Sequence, residues 1–110
     1  MEWIEKLDGN VIVSDAQGKI IYMNERAVLQ YEKDGGASLI GSDLLECHGE
    51  DSRKKIMEIM TSGKKNVYTI EKNGKKKIIY QSPWFVNGEF MGIIELSLGI
   101  PAEMPHYMRG

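Results

Sequence analysis

The 110-residue sequence predicts an α+β domain in which short helices lie on one face of a five-stranded antiparallel sheet. Two Asn-Gly dipeptides, Asn73-Gly74 and Asn87-Gly88, each separate two β-type segments. Asn-Gly supplies the two positive-φ residues of a type I′ turn and is a strong hairpin signal. A third hairpin is predicted over residues 11–23, where Asp15 and Gly18 take the favoured ends of a turn. The predicted helices fall between the first hairpin and the last two, an order typical of α+β domains.

The first helices follow from spacing and capping. Apolar residues at helical spacing predict a short N-terminal helix; they are Trp3, Ile4 and Leu7. β-branched and aromatic residues then predict strands at 11–13 and 20–23. Asn24 is a preferred N-cap residue, and the acidic Glu25 after it suits the positive end of a helix dipole. We therefore expect a helix from Asn24 to about Tyr31.

The middle of the chain is predicted to be helical in separate pieces. Residues 37–47 fit one or two turns interrupted by a glycine. Residues 52–62 place apolar side chains on one face and charged side chains on the other, which predicts an amphipathic helix. We expect Asp51 or Ser52 to cap its start and Gly63 to end it in the left-handed conformation.

Composition and charge narrow the class of protein. The length suits one domain over 1–110, which we divide into an N-terminal helical cap (1–8), a core (10–98) and a tail (99–110). The net charge of −2 argues against a dedicated nucleic-acid binder, and a single cysteine excludes an intrachain disulfide framework. No apolar segment approaches the roughly 18 residues of a membrane span, and the charged start argues against a signal peptide. We therefore expect a cytoplasmic protein that binds neither nucleic acid nor membrane.

Three segments resemble PAS sensor domains, and together they cover nearly the whole chain. The first is VIVSDAQGKIIYMNERA, similar to the opening hairpin and Asn-led helix of that family. The second is IGSDLLECHGEDS, similar to its Gly-led short helix and the segment before its long helix, although Gly49 stands where proline is commoner. The third is SPWFVNGEFMGIIELSL, similar to its last hairpin, with Gly92 before the final strand. The resemblance implies an antiparallel sheet curled around a pocket.

The resemblance also implies a class of function. PAS domains bind haem, flavin or small metabolites, or bind nothing and serve as dimerisation and signalling modules. Those with adduct-forming flavin chemistry place a cysteine three residues after the glycine that corresponds to Gly41. Leu44 occupies that position here, which argues against covalent flavin chemistry. The Cys47-His48 pair also resembles the PAS segment of proteins that combine PAS with hemerythrin-like domains.

Cys47 and His48 are the most reactive candidates. Either side chain has the chemistry of an axial haem ligand, and Cys47 has that of a redox-sensitive thiol. The structural alternative, which we favour, is that His48 packs or caps at a helix junction while Cys47 is a small buried hydrophobe. A haem or redox sensor is therefore an alternative function, and the cofactor stays unassigned.

The sequence shows no catalytic or metal-binding constellation. One cysteine and two histidines, His48 and His106, do not provide the spacing of a four-ligand zinc site. Cys47 and His48 are adjacent, and adjacent side chains rarely face each other as a nucleophile and its base must. We predict that the chain is not an enzyme, so a small enzyme on a PAS-like scaffold is the least favoured alternative. The neighbouring lysines are interpreted as a solvated hairpin tip; they are Lys64, Lys65, Lys75, Lys76 and Lys77.

Alternation along the last two strands assigns side chains to two faces of the sheet. The residues assigned to the inner, pocket-lining face are Ile79, Gln81, Phe90, Ile94, Leu96 and Leu98. The outer face then carries Ile78, Tyr80, Met91 and Ile93 and is unusually apolar. We expect the N-terminal helix, a second subunit or both to cover it, which predicts a homodimer through the outer face and that helix. The predicted function is a sensory or regulatory module that binds a small ligand in its inner pocket, or mediates homodimer and signalling-partner interactions.

Overall fold

The computed structural model describes residues 1–47 and 49–110, apart from the side chains of Glu46, Cys47 and Ser52. The helices are α1 (Glu2–Glu5), α2 (Glu25–Gln30) and α3 (Glu50–Ser62), with short 3-10 turns at Glu32–Asp34, Gly36–Leu39 and Leu44–Cys47. The strands are β1 (Asn10–Ser14), β2 (Ile20–Met23), β3 (Asn66–Lys72), β4 (Lys75–Val86) and β5 (Glu89–Ile100). All five strands form one antiparallel sheet in the order β2-β1-β5-β4-β3. The predicted α+β fold class is confirmed.

Both Asn-Gly turns form as predicted. Asn73 and Gly74 have φ angles of 54° and 75°, and Asn87 and Gly88 have φ angles of 51° and 80°. These two pairs of positive φ values are the geometry of a type I′ turn. The turns join β3 to β4 and β4 to β5, and they place the three strands next to one another in the sheet.

The structure confirms the predicted end of α3 and corrects its predicted start. Gly63 ends the helix in the left-handed conformation, with φ of 71°, as its sequence position indicates. The N-cap is Gly49, which makes no side-chain hydrogen bond, so the prediction of Asp51 or Ser52 is wrong. The helix begins earlier because its first turn takes in Glu50 and Asp51, whose charges suit the positive end of the helix dipole.

The hydrophobic core lies between α2, α3 and one face of the sheet, which we call the inner face. Its buried members are Ile12, Ile20 and Met23 of β1 and β2, Ala27, Leu44, Ile56 and Ile59 of the helical segment, and Ile93 of β5. The helices that contribute to this core therefore lie on one face of the sheet, as predicted.

The register of β5 decides which of its residues share the inner face. Ile93 is only 1% exposed and belongs to the core, so Glu95, two residues further on, points the same way. Glu95 lies opposite Gln81, and directly opposite residues of an antiparallel pair share a face. Ile94 and Leu96 alternate onto the opposite, outer face. Their assignment to the inner face, and that of Leu98, is therefore wrong.

A β-bulge explains this error. Trp84 lies opposite Gly92 but Phe85 lies opposite Phe90, so Met91 is an extra residue on β5. The extra residue reverses the alternation, and Phe90 shares the inner face with Ile93 although their spacing is odd. Phe90 packs against the core and makes an edge-to-face contact with Phe85, with ring centroids 6.1 Å apart. Its inner placement is confirmed, whereas the outer placement of Ile93 is wrong.

Candidate functional site

A cavity of about 170 Å³, which we call the inner cavity, lies between the inner face of the sheet and the end of α2. Its aliphatic lining residues are Ile12, Ile70 and Ile79. Every other lining residue carries a polar side chain, among them Tyr31 and Tyr68. Sheet residues reach the cavity because the register places them on the inner face at positions two apart.

A second cavity of about 390 Å³, the outer cavity, adjoins the first. The two share four lining residues, which are Asn10, Gln30, Lys77 and Ser97. The outer cavity is also lined by Asp8, Arg26 and Leu29, and the Arg26 guanidinium contacts Asp8 at 2.9 Å. Asp8 and Leu29 are largely exposed, so this cavity opens at the protein surface. A small molecule therefore has a route from solvent to the inner cavity.

Hydrogen bonds from neighbouring side chains support the Glu95 carboxylate in the wall of the inner cavity. The Gln81 side chain is only 2% exposed, and its Nε2 donates to Oε1 of Glu95 at 2.7 Å. Its Oε1 accepts from Nδ2 of Asn66 at 2.9 Å. Burial raises the pKa of Tyr68, and the nearby Glu95 charge raises it further. The network therefore holds the Glu95 carboxylate in place at one side of the inner cavity.

The structure places the predicted pocket residues in four different settings. Ile79 lines the inner cavity, as predicted. Gln81 shares its face, holds Glu95 and lines a further cavity of about 290 Å³ beside α3. Phe90 lies in the core, while Ile94 and Leu96 lie on the outer face. Ligand binding by Ile79 and Gln81 stays a prediction.

The Cys47-His48 prediction falls outside what the structure describes. His48 is not described, and of Cys47 only the backbone is, at the end of a 3-10 turn. The proposed haem or redox role of this pair therefore stays a prediction.

Sequence reasoning missed the polar residues shared by the two cavities. Lys77 was interpreted as part of a solvated tip, but it is half-buried and lines both cavities, so that interpretation is wrong for this residue. Alternation back from Ile79 would have placed Lys77 on the inner face. Lys75 and Lys76 are exposed, in agreement with the prediction.

The outer face of the sheet is apolar, as predicted, though with partly different members. Leu96 lies opposite Tyr80, and Leu98 lies opposite Ile78. These side chains are half-buried in the single chain. Val67, across from Tyr80 on β3, is 43% exposed. The outer face therefore presents apolar surface to solvent or to a partner.

Helix α1 is joined to the outer side of the sheet at β2. The Tyr22 hydroxyl donates to Glu5 at 2.6 Å, and this hydrogen bond, followed by burial, raises the pKa of Tyr22 to about 12. Tyr22 is on the outer side of β2 because its neighbour Met23 is in the core. Ile4 is half-buried but Trp3 is 65% exposed. Coverage of the outer face by α1 therefore stays a prediction.

Two general features of the described residues bear on the class of site. No group of three or more His, Cys, Asp or Glu side chains in this part of the chain is placed to hold a metal ion. None of the described helices combines the length and apolar character that a membrane crossing needs.

Solved structures of sensor domains share this architecture. The sensor region of a sensor histidine kinase is 19% identical, with a TM-score of 0.62, and the match covers 84% of this chain and 39% of that one. The Aer2 receptor from Vibrio cholerae, a dual PAS-heme oxygen sensor, is 17% identical with a TM-score of 0.61, covering 84% and 95% of the two chains. The fold is that of PAS domains. The PAS domain of an HTR-like protein from Haloarcula marismortui agrees, at 16% identity and a TM-score of 0.59, covering 89% and 86%.

These likenesses concern the PAS fold. No family model matches the sequence, and no curated protein matches it. The chain spans only 39% of the length of the sensor kinase region that it resembles. The resemblance to PAS domains stated from the sequence is therefore confirmed at the level of structure, and activity has to be argued from the site.

Proposed function

We propose that this chain is a sensory and regulatory PAS module that binds a small ligand in the inner cavity and forms a homodimer through the outer sheet face. The observation that supports it is the inner cavity of about 170 Å³, which combines aliphatic walls with convergent polar groups. A concave, partly apolar pocket with a few polar groups is the usual form of a small-molecule site. The Aer2 receptor shows that a protein of this fold holds a ligand in a sensory role.

Strand β5 provides a route from ligand to output. Glu95 and Ser97 line the inner cavity, while the alternate residues Ile94 and Leu96 lie on the outer face. A ligand that displaces β5 therefore also displaces the outer face. If the chain has two packings of its helices over the sheet, the ligand favours the one that binds it better.

Native mass spectrometry of the protein as isolated tests ligand binding and subunit count together. The proposal predicts a dimer mass with a small adduct on each subunit that is lost on denaturation. An adduct-free monomer at micromolar concentration would contradict both parts of the proposal. A dimer without an adduct would support the homodimer and contradict ligand binding.

Two substitutions on the outer face test the homodimer. Leu96→Lys and Val67→Lys each place a charge on the proposed interface, and we expect either to give a monomer in light scattering. Met57→Lys is the matched control, because Met57 is an exposed apolar residue on α3, away from the outer face and from both cavities. Unchanged dimers in both outer-face variants, or dissociation in the control alone, would place the interface elsewhere.

A haem sensor is the second candidate, favoured only by the likeness to Aer2. The inner cavity of about 170 Å³ argues against it, because drug-sized ligands occupy roughly 300–1,000 Å³ and haem is at least that large. A visible absorption spectrum of protein produced with haem available decides the matter. A Soret band that disappears in Cys47→Ala or His48→Ala supports haem, and the lack of any Soret band rejects it.

A further inference from the structure

We infer that the inner cavity selects a small molecule with a carboxylate group and holds that group at Lys77. This inference rests on the ligand-binding function proposed above. Four side chains line both cavities: Asn10, Gln30, Lys77 and Ser97. Within the described residues, none of the four makes a side-chain hydrogen bond or an ion pair with the protein. They form a cluster of free hydrogen-bonding groups with one positive charge, at the junction where a ligand would enter.

Lys77 has no ion-pair partner among the described residues. Its cross-strand partners are Ile70 on β3 and Gly99 on β5, and neither carries a charge. Gly99 has no side chain, so space remains beside the lysine stem. Lys76, by contrast, lies opposite Glu71, an opposite-charge pair of the kind that stabilises a sheet. Lys77, which has no opposite charge across the strand, is therefore the lysine of this pair that lines the cavities.

The other polar groups of the cavity set the orientation of the ligand. The Glu95 carboxylate lines the inner cavity and accepts a hydrogen bond from Gln81. An anionic group on the ligand is repelled by Glu95 and attracted by Lys77, so the ligand carboxylate lies at the Lys77 end. A hydroxyl or amino group, which donates hydrogen bonds, suits the Glu95 end.

The volume limits the size of the ligand. The inner cavity of about 170 Å³ is smaller than the roughly 300–1,000 Å³ of pockets that hold drug-sized ligands, so it suits a smaller molecule. The class that fits these requirements is a short hydroxy or amino carboxylate. L-lactate has this composition, and its amide, L-lactamide, has nearly the same shape without the charge.

Calorimetric titration with sodium L-lactate and with L-lactamide tests the inference. We expect lactate to bind the unaltered protein at least tenfold more tightly than lactamide. Lys77→Met, which keeps the length of the stem but removes the charge, should abolish that preference. Lys76→Met is the matched control, because Lys76 is exposed and lies on the outer face, and it should preserve the preference.

The outcomes separate this inference from the proposed function. Equal binding of the two probes, or equal loss of the preference in Lys77→Met and Lys76→Met, overturns the inference. If neither probe binds but native mass spectrometry shows an uncharged adduct, the inference of a carboxylate ligand is wrong while the proposed ligand binding stands. If neither probe binds and no adduct is found, both the carboxylate inference and the proposed ligand binding are wrong. A carboxylate adduct that is lost in Lys77→Met and kept in Lys76→Met supports both.

Discussion

Replacing Asn24 with alanine tests how the N-terminal helix is joined to the core. The Asn24 side chain is fully buried, and its Oδ1 accepts from the backbone N–H groups of Val11 and Ala27, at 3.0 and 3.1 Å. Its Nδ2 donates to the carbonyl oxygens of Ile4 and Gly9, at 3.1 and 2.9 Å. One side chain therefore caps α2 and joins it to α1 and β1.

The cost of Asn24→Ala follows from these bonds. Loss of an N-cap costs about 1 kcal/mol. The N–H of Val11, a residue only 3% exposed, loses its acceptor, and a buried donor left without a partner costs about 1–3 kcal/mol more. The total of about 2–4 kcal/mol is a large part of the roughly 5–15 kcal/mol that stabilises a domain. Asn24→Asp keeps the acceptor but faces the carbonyls of Ile4 and Gly9 with an oxygen, so it should release α1 while preserving the cap of α2.

Urea denaturation and amide hydrogen exchange provide the assays. We expect Asn24→Ala to lower the free energy of unfolding by about 2–4 kcal/mol. Asn24→Asp should increase exchange at the Lys6 amide, which bonds to the Glu2 carbonyl within α1. Asn10→Ala is the control, because Asn10 makes no side-chain hydrogen bond among the described residues, and it should cost less than about 0.5 kcal/mol. A cost below about 1 kcal/mol for Asn24→Ala, or one equal to that of the control, would refute the reasoning.

Two further predictions concern the sheet and the N-terminal helix. Gly92→Ala should destabilise the domain by at least about 2 kcal/mol in urea denaturation. The reason is that Gly92 has φ of 145° and an added Cβ would lie 2.7 Å from the carbonyl carbon of Ser14. Gly88→Ala, where the space is open, should cost less, and equal costs would contradict the steric argument. The hydrogen bond from Tyr22 to Glu5 raises the pKa of Tyr22 from 10.0 to about 12, so its stabilisation is complete below pH 10 and is lost as the pH rises towards 12. The stability difference between the unaltered protein and Tyr22→Phe should shrink over that interval, and a constant difference from pH 9 to 12 would count against this bond.

The sequence predicts those parts of the fold that depend on local backbone chemistry. Asn-Gly pairs select type I′ turns because asparagine and glycine tolerate positive φ. Asn24 caps a helix through its own side chain, and Gly63 ends one through its lack of a Cβ. Each of these signals acts within a few residues, so they are readable without knowledge of the rest of the molecule.

The faces of β5 depend on distant residues and were not predictable in the same way. The bulge at Met91 occurs where Gly92 meets the backbone of Ser14, which is 78 positions earlier in the chain. Strict alternation across that point exchanges the faces of Ile93 and Ile94, and residue type does not reveal the exchange because both are isoleucine. A sheet that is apolar on both faces gives no compositional check on register.

The site was predicted least well because it is assembled from several elements. Its shared polar residues come from β1, α2, β4 and β5, and no two of them form a sequence motif. Lys77 resembles its exposed neighbours in residue type, and only its alternation with Ile79 along β4 distinguishes it from Lys76.

Filling the inner cavity tests the central claim most directly. Ser97 is half-buried and lines both cavities, so Ser97→Trp places an indole ring where the ligand would bind. Met57→Trp places the same ring on the exposed side of α3, away from the inner cavity and from the outer face. By native mass spectrometry we expect the protein and Met57→Trp to carry the small-molecule adduct and Ser97→Trp, still folded by circular dichroism, to lack it. An adduct retained in full by folded Ser97→Trp would contradict the account.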